Sequence, residues 1–206
     1  MAIPVSELQK LNPSSRIELF DLELVECLHY ASGNPSSVPT TFRFHAGSSM
    51  NSNAEIVWQG NSYQKVHITF EGAEFSGRGQ IPRPVLTVAN LGGITRSGSV
   101  ITMTDLLIIV NLTTPHNDLA DAKLTRITTL ASELDAANFP SSSNPFGTPS
   151  SNELPQEIFF IDRKITESRE FVQFELVGEL DQANKKLPAR QVTRNEFAGV
   201  GTFIDG

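Results

Sequence analysis

Across residues 16–26 the side chains alternate, with Phe20, Leu22 and Leu24 on one face and Asp21 and Glu23 on the other. A period of two predicts a half-buried strand, its polar face interrupted by Leu19 and Val25. Val66, Ile68 and Phe70 alternate in the same way with Lys65, His67 and Thr69. Residues 55–58 and 63–70, joined through the turn formers Gly60-Asn61, give a hairpin signal. Residues 157–165 and 169–180 give the clearest antiparallel pair, in which Val172, Phe174 and Leu176 alternate with Gln173 and Glu175. Shorter strands are expected at 40–45 and 85–88.

Helical signals are fewer. Ser6 can cap a short helix over 7–11 that ends before Pro13. Residues 118–122 and 181–186 each suit one helical turn. The apolar stretch 102–110 fits a helix or a buried strand, since periodicity cannot separate the two in so short a run. Leu124, Ile127, Leu130 and Leu134 stand at helical spacing, which taken alone favours an amphipathic helix over 123–134. Two stretches rich in Ser, Asn, Gly and Pro, 31–54 and 139–155, read as loops or insertion tips rather than core, the second as the most exposed and mobile. The expected fold is mainly β (β-rich α+β): antiparallel, sandwich- or barrel-like, with a few short helices and long polar loops.

Composition narrows the function classes. The chain has 206 residues, 39% hydrophobic and 19% charged, enough to bury a core and short of the charge of a disordered chain. A formal net charge of -7, with no Lys/Arg run to offset it, argues against a nucleic-acid groove or an anionic membrane surface as partner. Cys27 is the single cysteine, so neither an intrachain disulfide nor a cysteine-based metal site can form within the chain. Residues 1–13 lack the pattern of a secretory leader, and the run Leu106–Val110 is far short of the ~20 residues that span a bilayer. The expectation is a soluble protein made in a reducing cytosol.

Candidate chemistry is sparse. His29, His45, His67 and His116 stand alone, with no HxxxH, HExxH or HxH spacing. No GxSxG elbow or Cys–His arrangement is present, and the pairs Asp21/Glu23, Asp118/Asp121 and Glu133/Asp135 read as solvated faces or helix termini. No catalytic or metal-binding residue is assigned, and an enzyme is not expected. Gly72, Gly77 and Gly79 allow positive φ or close approach, while Pro82 and Pro84 fix extended backbone around Arg83. Arg83 is expected to bond backbone carbonyls across a loop or an interface.

Four runs carry a family likeness. They are Trp58-Gln59-Gly60-Asn61-Ser62-Tyr63; Phe75-Ser76-Gly77-Arg78-Gly79 followed by Pro82-Arg83-Pro84; Leu86-Thr87-Val88-Ala89-Asn90-Leu91-Gly92-Gly93; and Leu119 through Arg126 followed by Leu134-Asp135-Ala136-Ala137-Asn138-Phe139. In order, spacing and chemistry they resemble the minor tail protein L family of long-tailed, non-contractile bacteriophages, typified by phage lambda. Leu187-Pro188-Ala189-Arg190 resembles the end of that family's N-terminal region, so the likeness covers most of residues 5–195, with room for two β-rich subdomains, before a 196–206 tail. The resemblance favours a strand beginning near Lys123, which leaves helix and strand both open for 123–134. Many members continue into a cysteine-rich domain that resembles an iron–sulfur site. Here the chain stops soon after Arg194 and its one cysteine lies near the N-terminus, so no cofactor is expected.

The resemblance implies a virion structural protein at the tail tip, assembled in the host cytoplasm. Such a protein forms a ring, apparently threefold, between the distal tail protein on the tail tube and the central hub or fibre protein, with the tape-measure protein as a further neighbour. Ring closure needs head-to-tail interfaces, and Arg83, Trp58, Tyr63 and Arg190 are the candidate contact residues, beside the loops 31–54 and 139–155. A second reading is a β-sandwich carbohydrate-binding module for a host surface glycan, with Trp58, Tyr30 and Tyr63 as stacking residues. Two tyrosines and one tryptophan make a poor platform for it.

Overall fold

The computed structural model describes residues 3–31, 40–47, 55–74, 81–91, 94–96 and 99–181. The protein is mainly β. Nine strands form one mixed sheet: β1 (Arg16–Glu23), β2 (Thr41–His45), β3 (Glu55–Trp58), β4 (Asn61–Lys65), β5 (Ile68–Glu71), β6 (Val85–Ala89), β9 (Lys123–Leu130), β10 (Glu157–Glu167) and β11 (Phe171–Val177). Their order is β3-β4-β2-β1-β9-β10-β11-β6-β5. A separate hairpin pairs β7 (Ile94–Arg96) with β8 (Ser99–Ile101).

That order closes the sheet. β4 is second in the row and β5 is last, yet only Val66 and His67 separate them in sequence. The row must therefore curl until its two ends meet, which makes a barrel. The joint is bonded on both sides: the Val66 amide donates to the His45 carbonyl at 3.0 Å, and the Ala89 amide donates to the His67 carbonyl at 2.8 Å. Phe70 of β5 lies with its ring 6.0 Å from Phe20 of β1 and 5.6 Å from Phe159 of β10, strands that are far from β5 in the row. The single return strand expected over 63–70 is thus two strands serving different neighbours. The alternation holds through 66–70, but a kink at 66–67 hands the chain from one ladder to another.

Both faces of this wall are used. Phe20, Leu22, Phe42, Phe44, Leu86, Val88, Leu124, Val172, Phe174 and Leu176 fill the interior. On the outer face, Leu19 and Ile127 join Ile56, Trp58, Tyr63, Leu134 and Phe139 in a second core. Leu19, which disturbs the alternation of β1, is the residue that serves this second core. The same fact resolves 123–134: Leu124 faces the barrel and Ile127 the outer core, so a spacing of three places them on opposite faces of a strand. β9 runs antiparallel to β1 along its whole length, and β-branched Thr125, Thr128 and Thr129 suit it to the pleat. The helical spacing there is a coincidence of a strand buried on both sides.

β2 also corrects an expectation. It lies inside the stretch read as a loop tip, yet it sits between β1 and β4 with Phe42 and Phe44 in the core. The polar residues around it, 32–39 and 48–54, lie outside the described residues. Its two-residue pairing with β4 (Phe44↔Gln64 and His45↔Lys65) is parallel, where an antiparallel sheet was expected.

The open run at 102–110 is the helix α2, Met103–Thr113. A capping box starts it: the Asp105 amide donates to Thr102 Oγ1 at 3.1 Å and the Thr102 amide donates to Asp105 Oδ2 at 2.9 Å. Met103, Leu106, Leu107 and Val110 cover one end of the barrel. The N-terminal helix α1 is Val5–Leu8, starting after Pro4, and Ser6 does not cap it. Residues 118–122 are a left-handed turn, since Asp118, Leu119 and Asp121 all have positive φ. The β3–β4 turn centres on Gln59 and Gly60, with φ of +52° and +74°, one residue earlier than expected, so that Trp58 pairs with Asn61.

Candidate functional site

Polar residues of the family-like runs bond within the subunit and tie its elements together. Asn138 lies against the free edge of β3: the Val57 amide donates to Asn138 Oδ1 at 2.7 Å, and Asn138 Nδ2 donates to the Val57 carbonyl at 2.5 Å. Asp135 Oδ2 accepts from the Gly60 amide at 2.7 Å. Runs that begin at Trp58 and at Leu134 therefore form one lock, closed over Trp58, Leu134 and Phe139 in the outer core. Asn90, at the end of β6, plays a matching part at the helical end of the barrel. Its Nδ2 donates to Thr104 Oγ1 at 2.8 Å and to the Ser168 carbonyl at 3.2 Å, and its Oδ1 accepts from the Thr104 amide at 3.0 Å. Each amide side chain here replaces strand or helix partners that the backbone lacks.

The opposite end of the barrel is an open mouth with a cavity of about 710 Å³. Ile81, Pro82, Leu154, Pro155, Ile158 and Phe159 give it apolar walls. Arg126 stands at its base, with Nη2 on Glu18 at 2.8 Å, Nη1 on Glu157 at 2.7 Å, and its guanidinium carbon 4.9 Å from the Phe70 ring centroid. Burial alone would push the Glu18 carboxyl upward; the Arg126 hydrogen bond and charge outweigh it and hold the group below its usual range.

Arg83 lies on the rim. Its Nε donates to Asp181 Oδ2 at 2.8 Å, Nη1 to Glu175 at 3.2 Å, and Asp162 is 3.8 Å away. Carboxylates of this chain, rather than backbone carbonyls, are its partners: Asp162 on β10, Glu175 on β11 and Asp181 just beyond it come together around the guanidinium. Glu175 is held low by its hydrogen bond from Arg163 and then by that from Arg83. The Arg83 side chain remains 47% exposed.

The other contact candidates fall elsewhere. Trp58 and Tyr63 are 3% and 1% exposed, packed in the outer core, so the subunit itself covers both rings. Tyr30 packs against the barrel interior. The three rings proposed to stack on a sugar therefore share no open face, which removes the basis of the carbohydrate reading. Arg190, the Gly77–Gly79 turn, residues 182–186 and the 196–206 tail lie outside the described residues. The loop 139–155 is exposed at its tip as expected but tied at its base. Asn144 Nδ2 donates to the Ser132 and Leu134 carbonyls at 2.9 and 3.0 Å, and the buried Glu133 accepts from Ser150 and Asn152.

Beneath Tyr63, burial raises its hydroxyl and also raises Asp21, whose pull from Arg43 at 3.9 Å does not compensate. His29 is satisfied on both nitrogens: Nδ1 accepts from the Val25 amide at 2.8 Å and Nε2 donates to the Ala120 carbonyl at 2.9 Å. Among the described residues no three His, Cys, Asp or Glu side chains are placed to hold a metal, and exposed Cys27 stands alone, so these residues do not fit an iron–sulfur cluster. No described helix is long and apolar enough to cross a membrane.

Sequence reasoning missed two features. The lock of Asp135 and Asn138 on β3 was visible only as a motif without a role. The outer side of α2 exposes Ile108 (55%) and Leu112 (79%) at a spacing of four. Ile108 and Leu112 interrupt the otherwise polar outer side of α2, which also carries Thr104, Asp105, Asn111 and Thr113, and that interruption is the signal in the sequence. A family model described as phage minor tail protein L matches residues 36–198.

Proposed function

The chain belongs to the phage minor tail protein L family, a family of structural virion proteins, and from that premise we propose that it is a ring-forming adaptor at the tail tip of a siphophage. In this reading copies of the chain join head to tail as a trimer between the distal tail protein and the central hub or fibre protein, with the tape-measure protein close by. The observation that carries the proposal is the family match itself, which spans all the strands from β2 to β11.

The geometry supports it in two ways. The polar signature residues Asn90, Arg126, Asp135 and Asn138 bond within the subunit, which makes a rigid block suited to a ring. The strip of Ile108 and Leu112 on α2 leaves apolar surface uncovered, of the kind that assemblies bury. The test is the mass of the purified protein in solution by light scattering, alone and mixed with the distal tail protein or the hub protein. A ring-sized mass, alone or with either neighbour, supports the adaptor. A monomer that ignores both overturns it.

A further inference from the structure

At the open end of the barrel the wall changes character. Its last bond between β6 and β11 runs from the Leu176 amide to the Pro84 carbonyl at 2.8 Å, and the β10–β11 ladder stops at Phe160↔Val177. Beyond those points residues 81–83 and 178–181 leave the sheet, and both segments line the mouth, through Ile81 and Pro82 on one and Gly178 and Glu179 on the other. The second segment ends in the 3-10 turn Glu179–Asp181. Arg83 joins the two, with Nε and Nη2 both on Asp181 Oδ2 at 2.8 and 2.7 Å.

We propose that Arg83 and Asp181 form a latch that holds the turn Glu179–Asp181 as a strap along one side of the apolar mouth, and that releasing it widens the mouth to apolar molecules. The charges around the latch make release inexpensive. Arg83 faces Asp162 on β10, Glu175 on β11 and Asp181 on the strap, and Glu175 is shared with Arg163 at 2.6 Å. When Asp181 leaves, the guanidinium keeps two carboxylates and Asp181 goes to water. A half-exposed pair of this kind is weakened by salt. The walls that share the mouth with the strap are apolar, Ile158 and Phe159 among them.

The test uses the full chain and the fluorescent dye anilinonaphthalene sulfonate as apolar probe, with far-UV circular dichroism and thermal unfolding to confirm that each variant is folded. Loss of one exposed ion pair shifts the open-to-closed ratio by roughly two- to fivefold, so Asp181→Asn should raise the dye signal by about that factor at low salt. Wild type should approach the same signal as salt is raised. Adding Ile158→Glu should remove the gain in both cases, because it places a charge inside the mouth. A folded Asp181→Asn protein that binds no more dye than wild type overturns the latch. So does a gain that survives Ile158→Glu, which would place the dye elsewhere. Should Asp181→Asn fail to fold, the salt series on wild type decides alone: a flat dye signal overturns the proposal.

Discussion

Asn138 occupies both backbone hydrogen-bonding groups of Val57, with its carboxamide lying along β3 as one residue of a missing strand would. β3 pairs on its other side with β4, so this one side chain blunts an edge that would otherwise offer unpaired groups to another chain. Asn138→Ala leaves the Val57 N–H and C=O without partners. The cost is about 2 kcal/mol, the low end for two unsatisfied groups because Val57 is only part-buried, read from urea unfolding. The variant should also aggregate more readily than an Ala substitution of equal cost in the barrel core. Equal aggregation would mean that edge protection is not its role.

Barrel closure has its own signature in a double-mutant cycle. Phe20 and Phe70 touch only because β5 returns to the far side of the sheet. Phe20→Ala and Phe70→Ala should therefore couple by about 0.5–1.5 kcal/mol, the usual range for an aromatic pair. Additive effects would be the result for a sheet that stays open.

Asp21 is a half-buried carboxylate held above its ordinary value, first by desolvation. A raised acid favours the folded state at low pH, and that contribution is lost as pH rises through its folded value. Asp21→Asn should thus stabilise the protein at pH 7 by about 1 kcal/mol while keeping an acceptor for the Tyr63 hydroxyl. The gain should fade below pH 4. A loss at pH 7 would show that the Arg43 pairing matters more than burial.

Glu18 and Glu175 carry the opposite sign. Their values are lowered, so the stability they add is complete above the unfolded carboxylate value of 4.5 and is lost as pH falls through the folded value. Arg126→Met should cost about 3 kcal/mol at neutral pH, the low end for two charged hydrogen bonds because both acids are part-exposed, and it should flatten the acid limb of the stability profile. An unchanged limb would assign the acid sensitivity to other groups.

How much was legible depended on how many faces a residue serves. β1, β6, β10 and β11 were readable because alternation separates a buried from a wetter side. β9 was not: Leu124 and Ile127 face different cores, and no one-sided period describes that. β2 was legible as a strand but not as part of the core, because its polar surroundings read as a loop tip although Phe42 and Phe44 carried the alternation. The Thr102–Asp105 capping box was in the sequence and would have decided α2. Trp58 and Tyr63 were legible as important but not as interior, since a large aromatic beside a turn looks alike whether it packs inward or outward. Arg83 was singled out by its flanking prolines, but its partners Asp162, Glu175 and Asp181 lie 79 or more positions away in sequence.

The joint at Val66-His67 has a mechanical consequence. From Lys65 to Ile68 there are three Cα steps, at most about 11 Å of chain, and both middle residues are bonded to neighbouring strands. Such a link has no slack. The β3–β4 hairpin cannot swing out to be exchanged with another copy unless the barrel tears along β2–β4 or β5–β6. A load applied to that hairpin is instead handed directly to β6 across the seam, so the subunit should carry tension as a hoop rather than unroll as a ribbon.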